Sequence, residues 1–218
     1  MLLSTCYGLA VSTLLVVPTE LEARGLKELG FAPLICGMGP VASAAKVAYE
    51  LAKHSPNCIL LWGLAGAYPG SGLEVPSLVL VTEEFLGDLA LCKGEHLEDL
   101  APHLPARRRY PLPEPPRRRV HNLLEKAGLP PILGAGVTVS CVSGTRIRGE
   151  ILARRFGALI ENMEGAAVAQ AAELAGVEMV ELRVVSNLVE DPPRALWKIE
   201  EALSLGVRAL QALKEFIR

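Results

Sequence analysis

Residues 158–176 read ALIENMEGAAVAQAAELAG, an apolar, alanine-rich stretch entered by two carboxylates, Glu161 and Glu164, with Met163 between them. A carboxylate among apolar residues is costly unless water or a ligand completes it. Glu164 stands where the segment turns helical. The positive end of a helix favours a carboxylate, so an ordinary first-turn glutamate accounts for that placement. The chemical alternative is narrower. One carboxylate accepts hydrogen bonds from two adjacent hydroxyls, which suits it to clamp a ribose 2′,3′-diol. Glu20 and Glu22 follow the first apolar run, and Ser186-Asn187 ends the apolar run ELRVVSN. Asparagine at a strand end is also a common turn residue, and Arg183 in that run fits a salt-bridge partner.

Two glycine-bearing turns could admit a ligand. GMGPVASAAK (37–46) exposes backbone N–H groups at a helix start, as phosphate sites do. It lacks G-x-G-x-x-G and a P-loop lysine, and fits a plain tight turn equally well. In WGLAGAYPGSG (62–72), Gly63 and Gly66 follow a strand-like run, where glycine permits close approach of something flat or bulky, or close helix–sheet packing.

The elements that must position these residues alternate along the chain. Strand-like runs are STLLVV (12–17), APLICGMG (32–39), CILLWG (58–63), SLVLVTEEF (77–85), GVTVSCVSG (136–144), ALIEN (158–162) and EMVELRVVSN (178–187). Helix-like segments are TELEARGLKELG (19–30), PVASAAKVAYELAKH (40–54) with proline at its first turn, and MEGAAVAQAAELAG, with Gly176 placed for its C-terminal cap. Alternation of this kind predicts an α/β fold with a largely parallel, helix-covered sheet, spanning residues 1–218 as a single domain. In open parallel sheets ligands collect where strands end and helices begin, and the candidate residues fall at such junctions. The proline-rich stretch over residues 98–122, with the triplets Arg107–Arg109 and Arg117–Arg119, reads as a solvated surface excursion stiffened by proline.

The 218 residues, half of them apolar and with net charge −2, carry no global bias towards nucleic acid or an anionic membrane. The N-terminal MLLSTCYGLAVSTLLVVP is apolar with an early cysteine. It has no basic n-region, though, and Cys6 comes too soon for a lipoprotein signal. No run reaches the ~20 apolar residues that span a bilayer. The five cysteines form no CxxC pair; Cys36, Cys58 and Cys141 sit in apolar runs and read as reduced core residues of a cytoplasmic protein. His54, His96, His103 and His121 lack metal-ligand spacing, which argues against a zinc site. There is no G-x-S-x-G elbow, and the few aromatics do not interleave with the arginines.

Taken together, the early strand with PTELEA, then GMGPVASA, WGLAGAYPGSGLEVPSLVLV, NMEGAAVAQAAELAGV and LRVVSN resemble the purine nucleoside phosphorylase and nucleosidase superfamily. The match covers most of the chain outside the arginine/proline stretch. Its specific part is the MEGAA helix followed by an R-x-x-S-[DN] strand. The resemblance implies a nucleoside phosphorylase-like mixed, twisted sheet and a set of roles. Glu164 would hold the ribose diol, with Met163 against the sugar. Ala65 and Gly66 would line the sugar and base region, and Cys141 and Val142 would lie beside the base. Asn187 would contact N7 and the six-substituent, and Glu22 would activate water, with Glu20 two residues earlier as the other candidate.

Adenine-releasing nucleosidases of the superfamily carry aspartate where this chain has Asn187. An amide N–H can donate to a six-oxo group that a carboxylate would repel, so the resemblance implies a six-oxopurine such as hypoxanthine. Phosphorylases of the superfamily carry a G-D-P-x-R-type segment. PTELEA is acidic and has no arginine before Arg24, which implies hydrolysis. Within the hydrolases, SNLVEDPPRALWKIEEAL and TVSCVSGT (138–145) are most similar to the futalosine hydrolase family of menaquinone biosynthesis, although its Arg-Asp before the tryptophan reads Glu190-Asp191 here. The expectation is cleavage of futalosine to hypoxanthine and dehypoxanthinyl futalosine, with no metal or organic cofactor, by a homo-oligomer of two or more subunits. A nucleosidase for inosine-like or methylthioadenosine/S-adenosylhomocysteine-like substrates, a phosphate-dependent phosphorylase and a non-enzymatic nucleoside-binding protein are the alternatives.

Overall fold

The computed structural model describes residues 12–94, 96–101, 103–104, 106–190 and 197–217; Cys6 and Asp191 to Pro193 lie outside them. Two long apolar strands organise it: β3 (Cys58–Ala67) and β10 (Glu178–Leu188), buried over most of their length and paired in parallel. Near-continuous apolar runs of this kind belong to strands covered on both faces. On one edge of β3 lies β1 (Thr13–Val17), parallel, followed by the short β2 (Leu34–Ile35). β10 pairs antiparallel with β4 (Leu78–Leu86), and β4 pairs in parallel with β8 (Ile132–Thr138). β8 pairs in parallel with β9 (Ile160–Asn162), and β9 returns antiparallel to the far end of β3. Most pairings are thus parallel and the sheet is mixed, as expected. It does not stay open, because β3, β10, β4, β8 and β9 close on themselves. Register shifts at Val185/Asn187 and Val81/Glu84 supply irregularities that let long strands bend into closure. A hairpin of β5 (Leu91–Lys93) and β6 (His96–Glu98) stands apart.

Helices cover both sides. α1 (Pro40–Leu51) packs against α4 (Gly165–Ala175), which buries all but a few residues and ends on Gly176 in the left-handed conformation. α5 (Ile199–Ala212) and the short α6 (Lys214–Ile217) cover β1, β3 and β10 on the other side, with α3 (Arg146–Phe156) beside β8. Gly206 of α5 lies against the buried Trp62 ring, and a Cβ there would stand 2.2 Å from Trp62 Cζ2. Gly206→Ala would gain about 1 kcal/mol of helix propensity but force a rigid indole aside, which typically costs about 1–3 kcal/mol. We expect a lower melting temperature for this variant by calorimetry; an equal or higher one would refute the packing argument.

Several local expectations fail for identifiable reasons. Residues 19–30 form successive turns rather than a helix, since Gly25, in mid-segment, takes a φ of 74° that a right-handed helix excludes. The strand expected over 32–39 is reduced to Leu34–Ile35, and the one expected to end at Gly63 runs to Ala67. The strand expected over 136–144 ends at Thr138, because the N–H groups of Ser140 and Cys141 turn to the Asp88 carboxylate instead of a ladder partner. Cys141 is consequently exposed, not a core residue. Cys36 and Cys58 are buried free thiols whose pKa burial pushes up to about 12.

The arginine/proline stretch carries β7 (Arg109–Pro111), antiparallel to β4, and most of α2 (Glu114–Lys126). Pro116, Val120 and Leu124 turn inward while Arg118 and Arg119 stay exposed. Arg107, Arg108 and Arg109 meet Glu173, Asp99 and Glu83. No helix among the described residues is long and apolar enough to cross a membrane.

Candidate active site

The site begins at a break in strand pairing. Along one edge, β3 pairs with β1 at Cys58–Leu61 and with β9 at Gly66–Ala67. Between them no described strand pairs with Leu64 on that edge, so its backbone groups need other partners. Its N–H donates to Glu22 Oε1 at 2.9 Å, and its carbonyl accepts from Arg183 Nη1 at 3.3 Å. A cavity of about 240 Å³ opens at this break, where the ends of β1, β9 and β10 converge. It brings together Glu22, Ala65, Gly66, Val142, Met163, Glu164 and Asn187; Cys141 does not line it.

Glu22 is buried, its Oε2 accepting the Thr19 hydroxyl at 2.7 Å. Burial raises its pKa above the ordinary glutamate value, an effect partly offset by the Leu64 N–H, the Thr19 hydroxyl and the Arg183 charge. Glu20, in contrast, is exposed and outside the lining. A sequence signal for this existed: T-x-x-E at residues 19–22 is the spacing by which a hydroxyl and a carboxylate meet at a turn.

Glu164 stands at the position just before α4 and is 3 % exposed. Its Oε1 accepts the Gly39 N–H at 3.1 Å and its Oε2 accepts Arg183 Nη1 at 3.2 Å. The glycine turn that resembled a phosphate cradle therefore presents its N–H to a carboxylate. Gly37 and Gly39, with φ near 89° and 88°, make that turn possible.

Beneath Glu164 lies a buried polar network. Arg183 is fully buried; Nε donates to Glu181 at 2.8 Å and Nη2 to Asn162 Oδ1 at 3.2 Å. Burial alone would lower the guanidinium pKa, but Glu181 and Glu164 raise it beyond its ordinary range. Asn162 also accepts the N–H groups of Glu164 and Gly165, orienting the first turn of α4, and donates to Glu84 at 2.7 Å. Thr138 donates to Glu84 at 2.7 Å and accepts the Ala166 N–H. Burial raises the pKa of both Glu84 and Glu181, and Glu181's charge raises that of Glu84 further, while the Arg183 charge opposes the rise at both. Gly63 and Gly165 leave the room this network requires: a Cβ on Gly63 would lie 2.7 Å from Arg183 Nη1, and one on Gly165 would lie 2.5 Å from Glu84 Cδ.

At the other end, the half-buried Asn187 accepts the Ser186 hydroxyl at 3.0 Å and donates to the Leu188 carbonyl at 3.2 Å, fixing its amide. A Cβ on Gly66 would stand 3.2 Å from Asn187 Nδ2. Glu161 is buried and also lines the cavity. Ser186 and Trp197, which belong to the S-N and tryptophan motifs, line this end as well, together with Ser143, which was not singled out because its placement depends on where the loop after β8 returns. Among the described residues no group of three or more His, Cys, Asp or Glu is arranged to hold a metal.

The family model for the phosphorylase superfamily matches residues 33–218. The chain is 40% identical to a futalosine hydrolase of Thermus thermophilus, over 92% of this chain and 94% of that relative. It is 33% identical to a futalosine hydrolase of Acidothermus cellulolyticus, over 83% of this chain and 73% of that relative. Two solved structures share the fold. A futalosine hydrolase mutant of Helicobacter pylori superposes with a TM-score of 0.82 at 18% identity, covering 94% of this chain and 100% of that one. A 5′-methylthioadenosine/S-adenosylhomocysteine nucleosidase of Campylobacter jejuni gives 0.80 at 17%, covering 95% and 99%.

Proposed function

The chain belongs to the phosphorylase superfamily and, within it, to the futalosine hydrolases, and from that membership we propose that it hydrolyses the N-glycosidic bond of futalosine to hypoxanthine and dehypoxanthinyl futalosine, the step of menaquinone biosynthesis implied by the resemblance. Water attacks the anomeric carbon as the bond to the base breaks. Glu22 accepts the water proton, and the base departs with the bonding electrons. Glu164 holds the ribose hydroxyls through lone pairs not taken by Gly39 and Arg183. The carboxylates also favour the positive charge that develops on the sugar. Asn187 donates from its amide to the base, stabilising the departing anion. Met163 packs beside the sugar.

One observation carries hydrolysis over phosphorolysis. The cavity's described lining holds Glu22, Glu161 and Glu164 but neither lysine nor arginine, and Arg183 beneath it is engaged by Glu164 and Glu181. Such a lining repels phosphate and suits a proton acceptor for water. Incubation with futalosine in phosphate-free buffer should therefore release hypoxanthine, detected by chromatography. Release that requires added phosphate would overturn this reading.

Asn187 supports a six-oxopurine over a six-aminopurine. Asn187→Asp would set an acceptor against O6, so the ratio of kcat/KM for futalosine to that for its six-amino counterpart should fall about tenfold or more. An unchanged ratio would remove Asn187 from base recognition. The assembly we propose is a homo-oligomer. It would cover the outward apolar side chains of α1, where Val41 is 83% exposed and Tyr49 58%.

A further inference from the structure

Glu161 is a buried carboxyl in the cavity that the mechanism leaves unused. Among the described residues no cation forms a salt bridge with it, although the Arg148 charge favours its ionised form. The Ser143 N–H donates to Oε1 at 2.8 Å and the Ser143 hydroxyl to Oε2 at 2.6 Å, while the buried Tyr68 hydroxyl lies beside it outside ordinary hydrogen-bond geometry. Two donors on separate oxygens hold the carboxylate rigidly and leave each oxygen a second lone pair.

Its place is the base end of the cavity. Gly66 is the point of reference: a Cβ there would stand 3.6 Å from Glu161 Cγ and 3.2 Å from Asn187 Nδ2, so both side chains converge where this glycine leaves space. Glu164 and Glu22 lie towards Arg183 and Leu64 instead. The base end thus offers one fixed amide donor and one fixed carboxylate acceptor side by side. A six-oxopurine presents the complement, an acceptor at O6 next to a donor at N1–H. A six-aminopurine presents the reverse, and its N1 lone pair would face the carboxylate. Asn187 addresses only half of this pattern.

We propose that Glu161, held by Ser143, accepts the N1–H of the six-oxopurine and is the second specificity-determining residue beside Asn187. This rests on the nucleosidase reading above for the identity of the base. It adds a contact to that reading and changes no chemical step.

The test measures binding of free hypoxanthine, adenine and 1-methylhypoxanthine to the full chain by calorimetry, for the wild type and Glu161→Gln. The wild type should bind hypoxanthine at least about tenfold tighter than either competitor, as a hydrogen bond to a charged acceptor warrants, and Glu161→Gln should remove most of that gap. A wild type that does not distinguish hypoxanthine from 1-methylhypoxanthine overturns the proposal, as does a gap unchanged in Glu161→Gln. Should the variant fail to fold, the methylated base decides alone, because it deletes the N1–H without touching the protein. Base preference is read independently of turnover, so failure of futalosine cleavage and failure of the Glu161 contact are separate results.

Discussion

Glu22→Gln is expected to lower kcat on futalosine by about 10²–10⁴-fold, the usual contribution of a positioned general base. The substitution is nearly isosteric. Glutamine can still accept the Leu64 N–H, and its amide can donate to Thr19, so the loss would report the missing base rather than a collapsed loop. The pH dependence follows from burial, which raises the Glu22 pKa above the ordinary value of 4.5. Only the ionised form takes a proton, so kcat/KM should fall as pH drops through that raised value. The residual activity of Glu22→Gln should lack this limb. Stability runs the opposite way. A carboxyl whose folded pKa is raised stabilises the fold below the unfolded value, and that contribution is lost as pH rises through the folded one. At neutral pH the wild type bears the cost of a buried charge that glutamine avoids, so Glu22→Gln should melt at an equal or higher temperature. Near wild-type turnover in this variant would sink the assignment of the base, and a lower melting temperature would sink the argument about burial.

Arg183→Met should damage the protein as a whole. The guanidinium serves Glu181, Glu164, Asn162 and the Leu64 carbonyl at once, with no exposed surface of its own. Removing one partner of a buried ion pair leaves uncompensated charge at a typical cost of about 3–5 kcal/mol. Domains are commonly stable by only about 5–15 kcal/mol. Unfolding by denaturant should therefore shift strongly to lower concentration, and the folded fraction should show a raised KM, since Glu164 loses the partner that orients it. Arg183→Lys should restore little. A single ammonium cannot span the acceptors that a planar fork reaches together. Full stability in Arg183→Met would mean that Glu181 and Glu164 are discharged by other means.

Much of this site was legible because the relevant residues sit at element ends, where sequence signals are strongest. Glu164 at the start of an alanine-rich helix, Asn187 at the end of an apolar strand and the glycines of WGLAGA all stand out in one dimension. Cys141 was misplaced because GVTVSCVSG is as apolar and β-branched as a real strand, whereas the chain leaves the ladder at Thr138 to meet Asp88. The helix expected over 19–30 failed on Gly25, whose positive φ no periodicity count reveals.

The sequence by itself determined the strand–helix alternation, the apolar β3 and β10, the α4 helix and the chemical types at the cavity, because these depend on local composition and spacing. Only the tertiary structure decided what those groups do together. Where β1 ends and β9 begins along β3 is a matter of how the ring of strands closes, and that closure leaves Leu64 without a strand neighbour. Glu22 and Arg183, far apart in the chain, fill the vacancy because unpaired backbone groups in a buried place must find partners. The same closure sets Glu161 beside Gly66 and buries Glu84 and Glu181 below α4. Burial, rather than residue type, then raises the pKa of these two carboxyls.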